Sequence, residues 1–258
     1  MNRAGTTIVG SRYFIHLAFR GTDFHGWQIQ PNGNTVQAEM NRALSAILKE
    51  NIEVTGAGRT DTGVHARKFM AHFDTNQKEI QYSRLIYQLN GILPADIAVR
   101  NIKAVKSDAH ARFDAISRTY EYHIHQQKDP FLDGYSCFYP GNLNIDKLNR
   151  GAELLYDYSD FSSFSKSDTN VKTNICNVME ANWIKESHRL IFTIKADRFL
   201  RNMVRAIVGT LLDAGSDKIC LAEFRRIAEL KDRSAAGKSV PAHGLYQTDI
   251  EYPERIFL

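Results

Sequence analysis

Apolar and polar residues alternate over several short stretches of the chain, and this period of two predicts β-strands. In residues 13–19, Tyr13, Ile15, Leu17 and Phe19 fall on one face. Comparable patterns predict further strands over 66–75, 97–105, 117–125, 178–184, 190–196 and 246–252. The polar triplet 186–188 separates two of these strands, which predicts a hairpin.

Apolar residues spaced three or four apart predict helices in the intervening segments. One covers Val36 to Leu48, where Asn34 and Gln37 have the spacing of a capping box. A second starts at Ser83 and stops near Gly91. Further helices are predicted over 145–156, from 199 to about 215, and over 221–231.

Each half of the chain therefore carries strands interleaved with two main helices. This pattern is typical of an α+β domain, in which an antiparallel sheet has its helices on one face. The halves repeat the order of elements but show no repeat of sequence. We expect two domains, residues 1–107 and residues 108–258.

Composition is that of an ordinary globular protein. The 258 residues are 43% hydrophobic and 24% charged, with a net charge of +4, which is compatible with RNA binding without requiring it. No apolar run approaches the ~18 residues of a membrane span, and residues 1–12 lack the apolar core of a signal peptide. We therefore expect a cytoplasmic protein.

Cysteine and histidine usage predicts neither a disulfide framework nor a metal site. The three cysteines, Cys137, Cys176 and Cys220, are widely separated and form no CxxC pair. His123 and His125 can share a strand face, but no third ligand accompanies them.

The segment 56–66, GAGRTDTGVHA, holds one carboxylate, Asp61, among three glycines. Glycines allow positive φ and close backbone approach, so such a loop can hold a carboxylate in place. A structural turn in which Asp61 bonds its own backbone is an equal alternative. Gly56, Gly58 and Gly63 do not match the dinucleotide fingerprint, and the Lys of a Walker loop is absent.

This loop resembles the signature of the tRNA pseudouridine synthase A family. The resemblance continues in matching order over residues 19–252, through the motifs GTDFHGWQIQP at 21–31, TVQ at 35–37, LNGILPADI at 89–97, RFDA at 112–115, SRTY at 117–120, FL at 199–200, MVR at 203–205, VGTL at 208–211 and PAHGL at 241–245. This chain departs from the pattern at Phe19-Arg20, at Arg198 and at Gln247, where the family usually has Tyr-Asp, a small residue and an apolar residue. The resemblance implies two similar ferredoxin-like or RRM-like domains with an active-site cleft between them.

The resemblance implies a tRNA isomerase that converts uridine to pseudouridine at positions 38–40 of the anticodon stem-loop, without a cofactor, as a homodimer whose cleft is shared. Asp61 is implied to be the catalytic carboxylate. Whether it attacks the base, attacks the sugar or removes a sugar proton stays open. The enzyme must flip the target base out of its stack.

The resemblance also assigns substrate-binding residues, each with a structural alternative. Tyr120 would stack on the flipped base and take part in proton transfer, or would be a core residue of its strand. Leu245 would form an apolar floor, or simply belong to the core. Arg59 would reach a phosphate or help to extrude the base. Arg205 would pair with Asp61 and favour its charged form.

Other basic residues predict an RNA-binding surface. Arg198, Arg201 and Arg205 have the i, i+3, i+7 spacing of one helix face, where a solvated cationic face is the alternative, and Arg201 would contact phosphates. A positive groove could extend along Arg67, Lys68, Arg112 and Arg118. The polar segment 158–170, with its spaced aromatics, would be a mobile linker or an RNA-contacting loop.

Two other functions compete with the isomerase. One is a non-catalytic RNA-binding protein of the same fold, although a pure binder has no use for a carboxylate facing phosphates. The other is an aspartate-dependent hydrolase, for which the loop lacks a second acidic residue.

Overall fold

The computed structural model of the protein describes residues 11–77, 79–166 and 173–258. Its strands are β1 (Ser11–Phe19), β2 (Thr55–Gly56), β3 (His65–Thr75), β4 (Ile97–Val105), β5 (Ser117–His125), β6 (Cys137–Phe138), β7 (Val178–Glu186), β8 (Arg189–Ala196) and β9 (Leu245–Glu251). Its helices are α1 (Val36–Leu48), α2 (Tyr82–Ile92), α3 (Ile145–Glu153), α4 (Met203–Gly215) and α5 (Leu221–Leu230).

All seven predicted strands are confirmed, as is the hairpin, whose β7 and β8 pair antiparallel around Ser187 and His188. The two-residue strands β2 and β6 are too short to leave a periodic signal in the sequence.

The two halves of the chain build the same arrangement of elements. In the first half, the order β1-α1-β2-β3-α2-β4 gives strands arranged β4-β1-β3-β2. In the second, apart from the additional β6 and α5, the order β5-α3-β7-β8-α4-β9 gives β9-β5-β8-β7. All pairs within these two sets are antiparallel.

The antiparallel sheets expected of the two halves are joined into one, because β3 of the first half pairs with β9 of the second. This pairing is parallel and joins His65 to Tyr246 and Ala66 to Gln247. A single sheet therefore runs through the described residues in the order β4-β1-β3-β9-β5-β8-β7. The seam between the halves lies directly after the glycine-rich loop.

Each half has its own hydrophobic core. One cluster packs α1 and α2 on β1, β3 and β4, and the other packs α3, α4 and α5 on the strands of the second half. A smaller third cluster includes Phe14, Ala57, Ala111 and Ile250, and so joins residues from both halves. None of the helices among the described residues has the length and apolarity that a bilayer crossing requires.

Two predicted helix boundaries shift because other residues provide the stops. Thr35, rather than Asn34, caps α1, and its hydroxyl accepts from the N–H of Ala38. Gln37 instead bridges outward, accepting from the N–H of Ile29 and donating to the carbonyl of Val54. Helix α2 continues through Gly91 and ends before Pro94, which favours extended backbone at Leu93.

Helix α4 begins at Met203 rather than at residue 199. Asn202 has φ 66°, a left-handed conformation that cannot continue a right-handed helix. The preceding residues form a turn in which the N–H of Met203 donates to the carbonyl of Leu200. The shared helix face predicted for Arg198, Arg201 and Arg205 is therefore wrong, since the first two precede the helix.

The predicted linker or RNA loop at 158–170 is a packed segment where the structure describes it. Phe161 and Phe164 are fully buried in the core of the second half, around a short 3-10 turn at Ser162–Phe164. The spaced aromatics are thus core anchors. Residues 167–170 of this prediction lie outside the described residues.

Candidate active site

The Asp61 loop joins β2 to β3 and closes in a tight turn. The N–H of Val64 donates to the carbonyl of Asp61 at 3.2 Å, with Gly63 at φ +81° in the third position, where glycine is the favoured residue. Ala57 at one end of the loop is buried in the small third cluster, and Val64 at the other is buried in the core of the second half. The carboxylate is therefore held by a loop anchored at both ends.

A second loop, formed by residues 20–27, braces the first through its backbone. The N–H of Trp27 donates to the carbonyl of Thr60 at 3.4 Å. Gly26 has φ +85°, and a Cβ atom placed there would lie 2.2 Å from the same carbonyl oxygen. Only glycine permits this approach, so the N-terminal motif fixes the residue next to Asp61.

Two arginines from the second half flank the Asp61 carboxylate. Arg205 on α4 donates from Nη1 to Oδ2 at 3.4 Å, while its Nε donates to the carbonyl of Val240 at 2.7 Å. Arg201, in the turn before α4, brings its Nε to 3.6 Å from Oδ1. The side chain of Arg205 is 22% exposed and that of Arg201 is 57% exposed. The more buried cation is thus locked in place and the other reaches solvent.

Tyr120 on β5 lies beside this group. Its hydroxyl donates to Oε1 of Gln247 at 3.2 Å, and its ring packs edge-on against Phe199, with centroids 5.0 Å apart. Burial raises the pKa of Tyr120 to about 12, and the charge of Asp61 adds to this effect while Arg118 opposes it. The hydroxyl therefore keeps its proton at neutral pH and can donate it.

Strand pairing places Leu245 and Gln247 of β9 on the same face as Tyr120. Tyr120 is paired with Gln247, and Tyr122 with Leu245. Tyr122 and Leu245 are both buried in the core of the second half, beneath α4. One side of β5 and β9 thus presents a phenol, an amide and an apolar side chain together, and the phenol is near enough to Asp61 to feel its charge.

His65, the first residue of β3, joins three segments around the site. Its Nδ1 accepts from the N–H of Gly21 at 3.0 Å, and its Nε2 is 3.1 Å from the carbonyls of Gly134 and His243. These partners require a neutral ring with its proton on Nε2, and burial lowers the pKa of His65 accordingly. Nothing in the local sequence pattern indicated this role, because the partners of His65 come from distant segments, although His65 lies inside the signature loop.

The predicted RNA-binding residues Arg67 and Lys68 do not join this cluster. Arg67 pairs with Glu121 and stacks over the ring of Tyr246. Both partners are next to residues of the Tyr120 face along their strands, so they point to the opposite face of the sheet. Lys68 pairs with Asp249, which lies opposite Thr119. A bulge in β3, where two residues face one on β1, turns both cations to the side away from Asp61.

The guanidinium of Arg118, which the sequence suggested as part of an RNA-binding groove, is instead hydrogen-bonded to backbone carbonyls. It donates to the carbonyls of Ala57, Arg112, Ala115 and Asp197 at 2.5–3.3 Å. It therefore ties the Asp61 loop to the second half. Arg59 is exposed and makes no hydrogen bond or ion pair with any residue that the structure describes. Arg112 is exposed and stacks on Phe113.

The carboxylate of Asp61 can act as an acid, a base or a nucleophile. Among residues 11–77, 79–166 and 173–258, no group of three or more His, Cys, Asp or Glu side chains could hold a metal ion. Asp61 faces arginines and a tyrosine instead.

Comparison with known proteins gives the arrangement its context. A family model described as tRNA pseudouridine synthase matches residues 16–114 and 156–253, more than half of the chain. A protein of Parabacteroides distasonis named tRNA pseudouridine synthase A is 50% identical over 246 residues, covering 95% of this chain and 98% of that protein. This chain belongs to the tRNA pseudouridine synthase A family. Its resemblance to that family, first indicated by the signature loop, is confirmed.

Other members of the tRNA pseudouridine synthase A family are similar over nearly their whole length. The Bacteroides thetaiotaomicron protein of that name is 50% identical over 249 residues, and the Bacillus subtilis one is 39% identical over 240. The first matched range contains Asp61, the second contains Arg205 and Leu245, and Tyr120 lies between the two ranges.

Two departures from the family pattern acquire structural partners. Arg20 pairs with Asp96 at 2.5 Å and donates to the hydroxyl of Tyr135 at 3.0 Å, so it braces the fold of the second loop. Gln247 holds the hydroxyl of Tyr120. The sequence indicated only that these residues were unusual, because their partners lie far away along the chain.

Proposed function

We propose that the protein converts uridine to pseudouridine in the anticodon stem-loop of tRNA, at positions 38–40. Membership of the tRNA pseudouridine synthase A family supports isomerisation of tRNA uridine. The observation that carries the proposal is a single carboxylate, Asp61, held in a glycine turn between two guanidinium groups with a tyrosine hydroxyl beside it.

In this proposal Asp61 is the catalytic residue. Isomerisation breaks the bond between C1′ and N1 and forms one between C1′ and C5; the hydrogen on C5 is lost and N1 gains a proton. One carboxylate that attacks carbon or removes a proton meets this need, and no redox partner or energy source is required. The rigid loop and the Arg205 contact orient the carboxylate before the substrate arrives.

Tyr120, Leu245, Arg205 and Arg59 form the proposed substrate-binding set. The Tyr120 ring provides a stacking surface for a flipped base, and its protonated hydroxyl can act as an acid. Leu245 provides an apolar surface on the neighbouring strand. Arg59, exposed two residues before Asp61, has its guanidinium available for a phosphate or for the gap left by the base.

Arg201 is the most favoured phosphate contact, because its exposed guanidinium borders the site. Arg118 would support RNA binding through the backbone that it fixes. Arg67 and Lys68 lie away from Asp61 and would meet the same tRNA only where a second subunit extends the surface. This geometry is compatible with the homodimer and shared cleft that the family resemblance implies.

We also propose that residues 1–107 and 108–258 are two related ferredoxin-like units with the active-site cleft between them. The repeated βαββαβ order and the two main cores support this division. A tRNA substrate would make the protein cytoplasmic.

Mapping of pseudouridine in a tRNA transcript tests the function. We expect the purified protein, without cofactor, to modify uridines at positions 38–40 and to leave a transcript with cytidines at those positions unchanged. Modification confined to another region would refute the proposed site. Tight binding without any pseudouridine would favour the RNA-binding alternative.

A further inference from the structure

Gln247 is a buried amide that is only half satisfied. The residue is 2% exposed, and its Oε1 accepts the hydrogen bond from Tyr120. Its Nε2 is buried and has no hydrogen-bond partner among the described residues. Buried donors are nearly always paired in folded proteins, so an unpaired donor beside the active site calls for a partner there.

The position of this amide identifies which ligand. Gln247 lies opposite Tyr120 of β5 and opposite Ala66 of β3, at the seam between the halves. Leu245, two residues earlier, is on the same face. Both polar atoms of the amide are bonded to one carbon, so Nε2 lies close to the Tyr120 hydroxyl. A base that displaces the side chains covering this amide, stacks on Tyr120 and rests on Leu245 would bring its ring edge to the Nε2 donor.

The chemistry of the base gives the contact a role. When the bond from C1′ to N1 breaks, its electron pair stays with the uracil ring and spreads onto the two carbonyl oxygens. A fixed N–H donor in a water-poor site stabilises such developing charge more than it stabilises the neutral base. The same donor would meet a carbonyl of uracil favourably and an amino group unfavourably.

We propose that Gln247 contacts the substrate, with Nε2 donating to a ring carbonyl of the flipped uracil while Oε1 holds the Tyr120 hydroxyl. The inference rests on the proposed function for the identity of the base. It assigns a second, independent task to Gln247, beyond orienting Tyr120.

A double-variant experiment separates the two tasks. Gln247→Leu is made alone and together with Tyr120→Phe, and release of tritium from C5-labelled uridine in tRNA is measured in single turnover at saturating enzyme. Thr248→Val, at the neighbouring bulge position, is the matched control for a polar-to-apolar change in β9. Thermal melting of each variant checks folding.

We expect Gln247→Leu to slow turnover by about tenfold to a hundredfold. Its melting temperature should change little, because the unpaired Nε2 donor is removed while the Tyr120 hydroxyl loses its acceptor. The double variant should be slower than Tyr120→Phe, and Thr248→Val should match the wild type. A double variant as fast as Tyr120→Phe would overturn the inference, since Gln247 would then act only through Tyr120. Absence of turnover in the wild type would instead refute the proposed function.

A substrate change tests the same contact from the other side. Anticodon stem-loops carrying 2-thiouridine or 4-thiouridine at the target replace one carbonyl oxygen with sulfur, a weaker acceptor. We expect one of these substitutions to slow the wild type and to leave the Gln247→Leu rate unaffected. Equal slowing of both enzymes by both substrates would contradict the contact.

Discussion

The two arginines beside Asp61 carry the same side chain but differ in burial, and this difference gives them different roles. Arg205 is fixed by the carbonyl of Val240 and donates to one carboxylate oxygen, whereas Arg201 approaches the other oxygen from solvent. An exposed guanidinium can exchange the carboxylate for a phosphate at small cost, but a fixed one cannot. The two arginines should therefore affect different steps.

Replacing each arginine by alanine tests this division. Arg205→Ala should lower saturated turnover by about 10- to 100-fold, because Asp61 loses an oriented charged hydrogen bond. Arg201→Ala should mainly weaken tRNA binding and reduce the slope of affinity against salt by about one. Single-turnover rates and salt titrations measure the two effects. Weaker binding with normal saturated turnover in both variants would remove Arg205 from the active site.

Tyr120 separates a packing role from a chemical one. Tyr120→Phe keeps the ring and its contact with Phe199 but removes a hydroxyl that is protonated at neutral pH. We expect turnover to fall about 10²- to 10⁴-fold with tRNA affinity little changed, and loss of the donor to the buried Oε1 of Gln247 to cost about 1–3 kcal/mol of stability. A folded variant with wild-type turnover, or one whose only defect is about 1–3 kcal/mol of stability, would make the hydroxyl structural.

The loop pair 20–27 and 57–64 is the element on which the site depends. Each contributes backbone groups to the other, and Gly26 lies at the closest approach. The site is therefore sensitive to backbone geometry in a loop that contributes no catalytic side chain.

Two glycines in these loops provide a matched comparison. Gly26→Ala should destabilise the protein by about 2–4 kcal/mol and lower turnover, because its Cβ collides with the Thr60 carbonyl at a positive φ. At Gly58 an added Cβ meets no atom within 4 Å, so Gly58→Ala should change stability by no more than about 0.5 kcal/mol. Chemical denaturation measures both. Similar losses in the two variants would contradict the bracing of Asp61 by Gly26.

Local patterns predicted the elements well, and long-range contacts account for what they missed. The strands and α1 follow directly from periodicity, because one face of each is buried. The start of α4 does not follow from periodicity. The apolar spacing of the helix already begins at Phe199 and Leu200, but the left-handed backbone of Asn202 prevents the helix from starting before Met203. The signature loop indicated Asp61, but the contacts of Gln247 and Arg118 depend on partners from other strands.

At the scale of the whole molecule, the segment between β4 and β5 is tied to the sheet by a buried histidine. Nδ1 of His72 on β3 accepts from the N–H of Ala111 at 3.1 Å. Burial lowers the pKa of His72 to about 4, with Arg12 and His110 adding to the effect and Asp74 opposing it. The neutral ring is thus part of the connection between the halves.

Acid should weaken this connection. The unfolded chain takes up a proton on His72 near pH 6.5, but the folded protein resists it down to about pH 4. Stability is therefore lost as pH falls through this window, by about 3 kcal/mol in full and about 2 kcal/mol by pH 5. Denaturation at pH 7 and pH 5 should show a smaller loss for His72→Asn, whose amide oxygen can accept the same bond. An equal loss in both proteins would exclude His72 as the cause.

The most direct test of the account is whether the charge of Asp61 drives the isomerisation. The wild type and Asp61→Asn are incubated with tRNA labelled with tritium at C5 of uridine, in EDTA and without cofactor, and tRNA binding is measured in parallel. Asparagine keeps the size of the side chain but removes its charge. We predict tritium release by the wild type only, with similar tRNA affinity in both proteins. Tritium release by the folded Asp61→Asn protein at a rate near that of the wild type would contradict it.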